Sequence, residues 1–383
     1  MNLLEEKRIL DSIFEYKIID IPKETRFWMV RTKQGFFYND FIKNNYIALG
    51  WNTIRKSTNL KEENIDRIKD SIITDYEVKN PMSVVNKCKS FIWEMNEGDI
   101  IIIPSAKTKE VTFALAGEYY EEEDKNYDDE KDIISKIESN ELQIKEIECP
   151  YRKRRKIKIL KTVVSEKINF HLYRGISTYH GISNFDNYSK FILDSIYDIY
   201  TFGDICSLQI GINTVNPIKA RDISKLMLGI SNYMSHFISD DNLSVTLNLN
   251  SPGRISLTPR DVYNFIKNNK SSFIIILLLL TGGKACGFEL PGIVSLLKDI
   301  KTMNIEVEKS KEELEQIKLD NFEKKCKIKM MLEEHDVNID ELSDDITMIL
   351  STSENLELGL DDGIKSEKDV NTEEESLENK NNG

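Results

Sequence analysis

Apolar residues recur along this chain in two rhythms, and the change of rhythm marks its elements. The opening "MNLLEEKRILDSIF" has helical spacing and predicts a short amphipathic helix, then a linker to residue 22. From Arg26 the pattern turns to strand: "RFWMVRT" is rich in aromatic and β-branched residues between polar turns. "FFYNDFIKNNYIALGW" predicts a short helix over Asn39–Asn44 and a strand ending at Gly50 and Trp51. "KEENIDRIKDSIITDY" and "MSVVNKCKSFIWEMNEGD" space their apolar residues by three and four and predict two helices. A Gly98-Asp99 turn then leads into strands over Asp99–Pro104 and Thr112–Tyr120, followed by an acidic loop, "EEEDKNYDDE", Glu121–Glu130. Two further strands are predicted over Gln143–Cys149 and Lys156–Val163.

Downstream, "FDNYSKFILDSIYDIY" predicts a helix, "CSLQIGINTV" a strand, and "IKARDISKLMLGISNYMSHFI" a helix after an Asn-Pro turn. Leu243–Leu249 alternates strictly and then turns at Ser251-Pro252-Gly253. This order suggests a small α+β domain over 166–258. A third region, 259–340, holds the apolar run Phe273–Gly283 and a densely charged stretch with apolar residues at Ile305, Leu314, Ile317, Leu319 and Phe322. That stretch reads as a long solvated helix or coiled-coil segment. The last part, 341–383, is strongly acidic beyond Glu354 and is expected to be disordered. No internal repeat is found.

Composition narrows the function classes. The chain has 383 residues, 40% hydrophobic, with a net charge of −13, which argues against an overall cationic surface but not against a local basic groove. Five scattered cysteines with no CxxC or Cys/His cluster suit a reducing cytoplasm and give no zinc spacing. The acidic N-terminus is unlike a signal peptide. Phe273–Gly283 is about half of the ~20 residues a membrane helix needs, so a buried core element is expected, with a membrane-inserting hairpin through 273–297 as the alternative.

The catalytic motifs sought are not found. Four histidines are scattered; His180 near Asp186 has no nucleophile motif beside it. "TGGKACG", Thr281–Gly287, keeps only Gly-Gly-Lys of a phosphate-loop pattern, and "NSPGR", Asn250–Arg254, reads as a turn. A non-catalytic protein without cofactor or metal is expected. The strongest electrostatic signal is "YRKRRK", Tyr151–Lys156. Three readings stay open for it: phosphate contacts, a charged strand edge that deters aggregation, and an internal clasp onto Glu121–Glu130.

The residues Trp28–Arg31, Ile47–Trp51, Phe91 with Met95, Gly98-Asp99, Pro104 and Ala116–Tyr119, in this order, resemble the PUA-like barrels. That group includes the EVE and YTH domains, and the version most like this one stands at the N-terminus of Mrr-type restriction proteins and other bacterial defence proteins. The resemblance covers about Thr25–Val164 and is carried by order and spacing more than by any single motif. The Mrr catalytic domain is not seen, which counts against nuclease activity. The resemblance implies an α+β chain with a PUA-like β-barrel over 23–165 that senses nucleic acid, DNA in preference to RNA, and reads a modified or flipped base in a restriction-like, anti-phage setting.

A flipped base needs aromatic faces and edge hydrogen bonds. All three tryptophans, Trp28, Trp51 and Trp93, lie in this region. The expected nucleic-acid contacts are Trp28, Arg31, Trp51, Asn52, Ser105, Tyr119, Arg152, Arg154 and Arg155. Each tryptophan also has a plain reading as core, with Trp51 the best exception. The C-terminal helix would join a second copy or an effector protein, and a membrane is the disfavoured partner. The competing reading of the whole is an oligomeric scaffold without ligand binding.

Overall fold

The computed structural model describes residues 3–356 and 358–359, apart from 16–17, 61, 142–146, 179–180, 204, 213, 215, 238–242, 249–252, 260–273, 276–295, 298 and 302–312. In chain order its elements begin with α1 (Leu3–Glu15), β1 (Ile19–Ile21), β2 (Phe27–Val30), α2 (Tyr38–Lys43), β3 (Tyr46–Leu49), α3 (Glu62–Tyr76) and α4 (Pro81–Lys89). Then come a π-helical turn (Ser90–Glu94), β4 (Ile100–Pro104), β5 (Glu110–Glu121), α5 (Tyr127–Glu138), β6 (Lys153–Val164), α6 (Phe170–Thr178), β7 (Ile182–Asn184) and α7 (Ser189–Ile196). The remainder holds β8 (Ile199–Phe202), β9 (Ile205–Ile212), α8 (Ala220–Ser235), β10 (Leu243–Asn248), β11 (Gly253–Pro259), α9 (Glu313–Glu334), α10 (Ile339–Leu356) and β12 (Leu358–Gly359). The chain is α+β and divides into two compact units, one of Glu24–Ile196 and one of Met1–Lys23 with Tyr197–Gly383.

The Glu24–Ile196 unit is built on a six-stranded sheet in the order β3-β6-β5-β4-β2-β7, curled into a half-barrel. Only β2 and β4 run parallel; the other pairs are antiparallel. The four isoleucines of β4 are wholly buried, as expected of a central strand covered on both faces. The Gly98-Asp99 turn is explained by its contacts. Gly98 takes a φ of +87°, and the Asp99 carboxylate accepts from Asn96 N (2.8 Å), Arg26 N (3.1 Å) and Trp28 Nε1 (2.9 Å). One buried aspartate thereby ties β2 to the start of β4.

The unit does not end near residue 165. Strand β7 pairs with the free edge of β2, so that Trp28 lies opposite Asn184 and Val30 opposite Ile182. Without β7 that edge of β2 would be left unpaired. Two segments expected to be irregular or differently formed also change. Part of the acidic loop is helix α5, started by an Asn126/Asp129 capping box. The helix expected over "FDNYSKFILDSIYDIY" stops at Ile196, and its last residues enter β8.

The second unit joins what the sequence pattern divided. Its sheet runs β1-β8-β9-β11-β10, with β12 also pairing β9. Helix α8 packs along α10 so closely that a Cβ on Gly229 would come within 2.8 Å of Ile349. Asp345 on α10 accepts from Asn232 Nδ2 on α8 (3.0 Å) and faces Nε2 of His236, which caps the end of α8 (3.3 Å). Helix α9 lies against α1, with Lys324 paired to Asp11 and Lys325 to Glu6. It is therefore no free solvated helix: Asn321, Ile328 and Leu332 are buried, while Leu319 is 59% exposed. Residues 341–356, expected to be disordered, form most of α10, because Leu342, Ile346 and Ile349 supply a buried helical stripe.

Of the apolar run 273–297, only Ile274, Ile275, Leu296 and Leu297 are described, all in the core of this unit. Among the described residues, no helix is long and apolar enough to cross a membrane. Thr281–Gly287, His180, Asn250–Pro252, Gln143–Glu146 and the tail beyond Gly359 lie outside the described residues.

Candidate nucleic-acid interface

The sequence placed its phosphate contacts on Arg152, Arg154 and Arg155, but all three are buried, 3–7% exposed. Strand pairing is the cause. The start of β6 lies beside the end of β5, with Lys153 opposite Glu121, so the basic run meets the acidic one. Arg152 pairs with Glu123 and Glu121, and Arg154 with Glu122. Arg154 also donates to Cys149 O (3.0 Å) and Tyr151 O (3.1 Å), and its guanidinium lies 4.3 Å from the Tyr46 ring centroid.

Arg155 donates to the carbonyls of Phe91 (3.0 Å), Gly117 (3.0 Å), Ile92 (3.3 Å) and Met95 (2.5 Å). It thus holds the π-helical turn and its exit onto the sheet. Burial lowers its affinity for the proton, partly offset by Asp99, Tyr119 and Glu97. Of the three readings of this run, the structure shows the internal clasp, and buried guanidinium groups so engaged are not surface phosphate contacts.

The remaining expected contacts fall at two ends of the sheet. Ser105 follows β4 and accepts from Glu110 N (3.0 Å) through Oγ, closing the turn into β5. Arg31, at the same end, donates to Ile176 O on α6. Trp51, Asn52 and Tyr119 lie by the opposite end, where β3, β5 and β6 meet. These residues therefore form no single cage. Asn52 is fully engaged: Nδ2 donates to Asn126 O (2.8 Å) and Pro150 O (2.9 Å), while Oδ1 accepts from Arg152 N (2.9 Å). Tyr119 donates to Glu121 (2.8 Å) and packs edge-on against Phe91. Trp28 is core at 2% exposure. Trp93, for which the sequence favoured the core, is 43% exposed.

Trp51 is different. It stands at a φ of +62°, in the left-handed region that bulky residues avoid. Two buried side chains of opposite charge hold it there. The Glu130 carboxylate accepts from Trp51 N (2.6 Å), Asn52 N (2.8 Å) and Tyr76 Oη (2.9 Å). Lys153 Nζ donates to Trp51 O (2.7 Å) and Ile54 O (2.9 Å). Burial raises the Glu130 carboxyl above its usual range, opposed by the Asn52 and Trp51 amides. Burial lowers the Lys153 ammonium, opposed by Cys88, Glu130 and Glu121. The Trp51 ring is half-buried, with Lys87 Nζ 5.8 Å from its centroid.

Clefts open among the described residues of this unit. One, of about 340 Å³, lies between the Thr53–Asn59 loop and α3. Another, of about 450 Å³, lies between α4 and the β2–β7 edge. Helix α4 builds the second because its faces differ. Val84, Val85 and Cys88 point into the core, and Met82, Ser83, Asn86, Lys87 and then Ser90 line the cleft. Opposite stand Arg26, Trp28, Ser183 and Asn184.

Residues 28–165 match the family model of a domain of unknown function (DUF8426). That is well under half of the chain. No curated protein and no solved structure matches it. The match stops short of Arg26, Ser183 and Asn184, so the α4–β7 cleft is completed by residues outside it. Sequence reasoning did not single out the α4 side of the cleft. Its only trace is the run of small polar residues at Ser83, Asn86 and Ser90, opposite the apolar face.

Proposed function

We propose that the Glu24–Ile196 unit is a PUA-like sensor of nucleic acid, without catalysis of its own, and that Trp51 is the ring on which a base stacks. The observation that carries this is the forced backbone of Trp51. A left-handed non-glycine residue costs on the order of 1–3 kcal/mol and persists only where its surroundings over-determine it. Here a buried glutamate and a buried lysine do so for a partly buried indole. Such strain clusters at ligand-contacting sites. A modified or flipped base suits an aromatic face at a loop, and a restriction-like, anti-phage role would follow from the family resemblance alone.

The buried arginines change what this reading expects of salt. Each phosphate neutralised steepens the dependence of affinity on salt by about 0.9 in the log–log slope on duplex DNA. With Arg152, Arg154 and Arg155 engaged internally, a shallow slope is expected. The test is binding of the full chain to short labelled DNAs and RNAs, modified and unmodified, at two salt concentrations. Stacking contributes about 1–3 kcal/mol per base, so Trp51→Ala should weaken binding about tenfold or more. Equal affinity of the variant for every oligonucleotide would sink the reading.

A further inference from the structure

The α4–β7 cleft has a chemistry of its own, and it differs along its length. Near Gly181, where β7 begins, stands Lys87, flanked on α4 by Ser83 and Asn86 and at the helix start by Asn80. Lys87 makes no ion pair among the described residues; its described contact is the Trp51 ring. At the other end, where β7 finishes, Arg26 sits over Trp28, with the guanidinium carbon 4.7 Å from the ring centroid. Both members of that stack are fixed: Arg26 pairs with Asp186 (3.4 Å), and Trp28 Nε1 donates to Asp99 (2.9 Å). Beside the stack Glu94 lines the cleft, one carboxylate oxygen accepting from Ser90 (2.6 Å).

We infer that this cleft binds a nucleotide unit carrying an amino-substituted base, at a site separate from the Trp51 platform. An ammonium among amide and hydroxyl groups suits a phosphate ester. A guanidinium plane backed by an indole is a surface on which bases stack. A carboxylate beside it accepts from an exocyclic amine, which adenine and cytosine have and uracil lacks. The volume, about 450 Å³, lies within the roughly 300–1,000 Å³ of small-ligand sites. Of the two cations lining the cleft, Arg26 is paired with Asp186, which leaves Lys87 for the phosphate and the end with Arg26 and Glu94 for the base.

The experiment is calorimetric titration of the full chain with AMP, CMP, UMP, adenosine and inorganic phosphate. AMP and CMP should bind, and UMP should bind about tenfold more weakly. Lys87→Gln should weaken AMP about tenfold and leave adenosine unchanged, and Glu94→Gln should narrow the gap between AMP and UMP. A 5′-phosphorylated oligonucleotide that displaces AMP assigns the site to a strand end; one that does not assigns it to the free nucleotide. The inference is overturned if no nucleotide binds, if phosphate alone binds as tightly as AMP, or if Lys87→Gln changes nothing. Glu94→Gln separates the two sites, because Glu94 lines the cleft and has no described contact with Trp51: it should narrow the gap between AMP and UMP while leaving binding of an unphosphorylated oligonucleotide unchanged. Oligonucleotide binding without AMP binding overturns this inference and spares the Trp51 reading.

Discussion

Glu130 offers the sharpest test of the clamp under Trp51. Its carboxylate is 4% exposed and accepts three hydrogen bonds, two from backbone amides and one from Tyr76. Glu130→Ala leaves those three donors without a partner, at about 1–3 kcal/mol each, less the desolvation that the lost carboxylate no longer suffers. The net cost should be about 3–5 kcal/mol, close to that of removing one member of a buried charged network. At a urea slope of about 2 kcal/mol per molar, the unfolding midpoint should fall by about 2 M.

All three tryptophans lie within Glu24–Ile196, so tryptophan fluorescence follows this unit apart from the rest of the chain. Glu130→Gln should cost less, because one amide oxygen still accepts while the amide nitrogen meets a facing N–H. A midpoint shift under about 0.3 M for the alanine variant, or equal shifts for both, would refute the clamp. The pH dependence follows from the same group. A carboxyl raised by burial binds its proton more tightly folded than unfolded, so its contribution falls as pH rises above the ordinary 4.5. The advantage of the wild type over Glu130→Gln should therefore be largest below pH 4.5 and shrink as the pH rises above it.

Arg155→Ala should destabilise the same unit on the order of 3 kcal/mol, read in the same unfolding assay, because the carbonyls of Phe91, Ile92, Met95 and Gly117 lose their shared donor. A stable variant with a flattened salt dependence of nucleic-acid binding would instead restore it as a phosphate contact. Gly50→Ala should cost about 1–3 kcal/mol, since its Cβ would stand 2.7 Å from Glu130 Oε1 and 2.9 Å from Tyr151 Cε1; thermal melts followed by fluorescence measure this. Of the described cysteines, Cys326 should label first with a thiol reagent at about pH 8. Cys88 should resist, because burial pushes its thiol up to about 11; peptide mapping after labelling resolves the order.

The sheet of the Glu24–Ile196 unit was largely legible because β2, β4 and β5 are apolar-rich runs bounded by turn residues, and β6 carries Ile157, Ile159, Leu160 and Val163 between its lysines. Its last strand was not: β7 is three residues long, too short for any period to show. The acid-rich segment hid α5 in the same way that composition hid α10. In both, charge density outweighed a readable signal, the Asn126/Asp129 capping box in one and the spacing of Leu342, Ile346 and Ile349 in the other. The basic run failed for a different reason. Its residues were noted, but burial depends on the register that sets Lys153 opposite Glu121, and register is a property of pairing, not of the run. Trp51 was singled out for its place at a strand end. Its backbone conformation and its buried clamp needed the fold.

The most direct measurement is a fluorescence titration of the Trp93→Phe protein with short oligonucleotides. That substitution removes the exposed indole and leaves Trp28, which is buried, and Trp51. A base stacking on Trp51 should quench the signal in a saturable way, at the affinity measured with labelled strands, and Trp51→Ala should abolish the quench. Tight binding of labelled strands with no change in this fluorescence would contradict the account, because the base would then be held somewhere other than on Trp51.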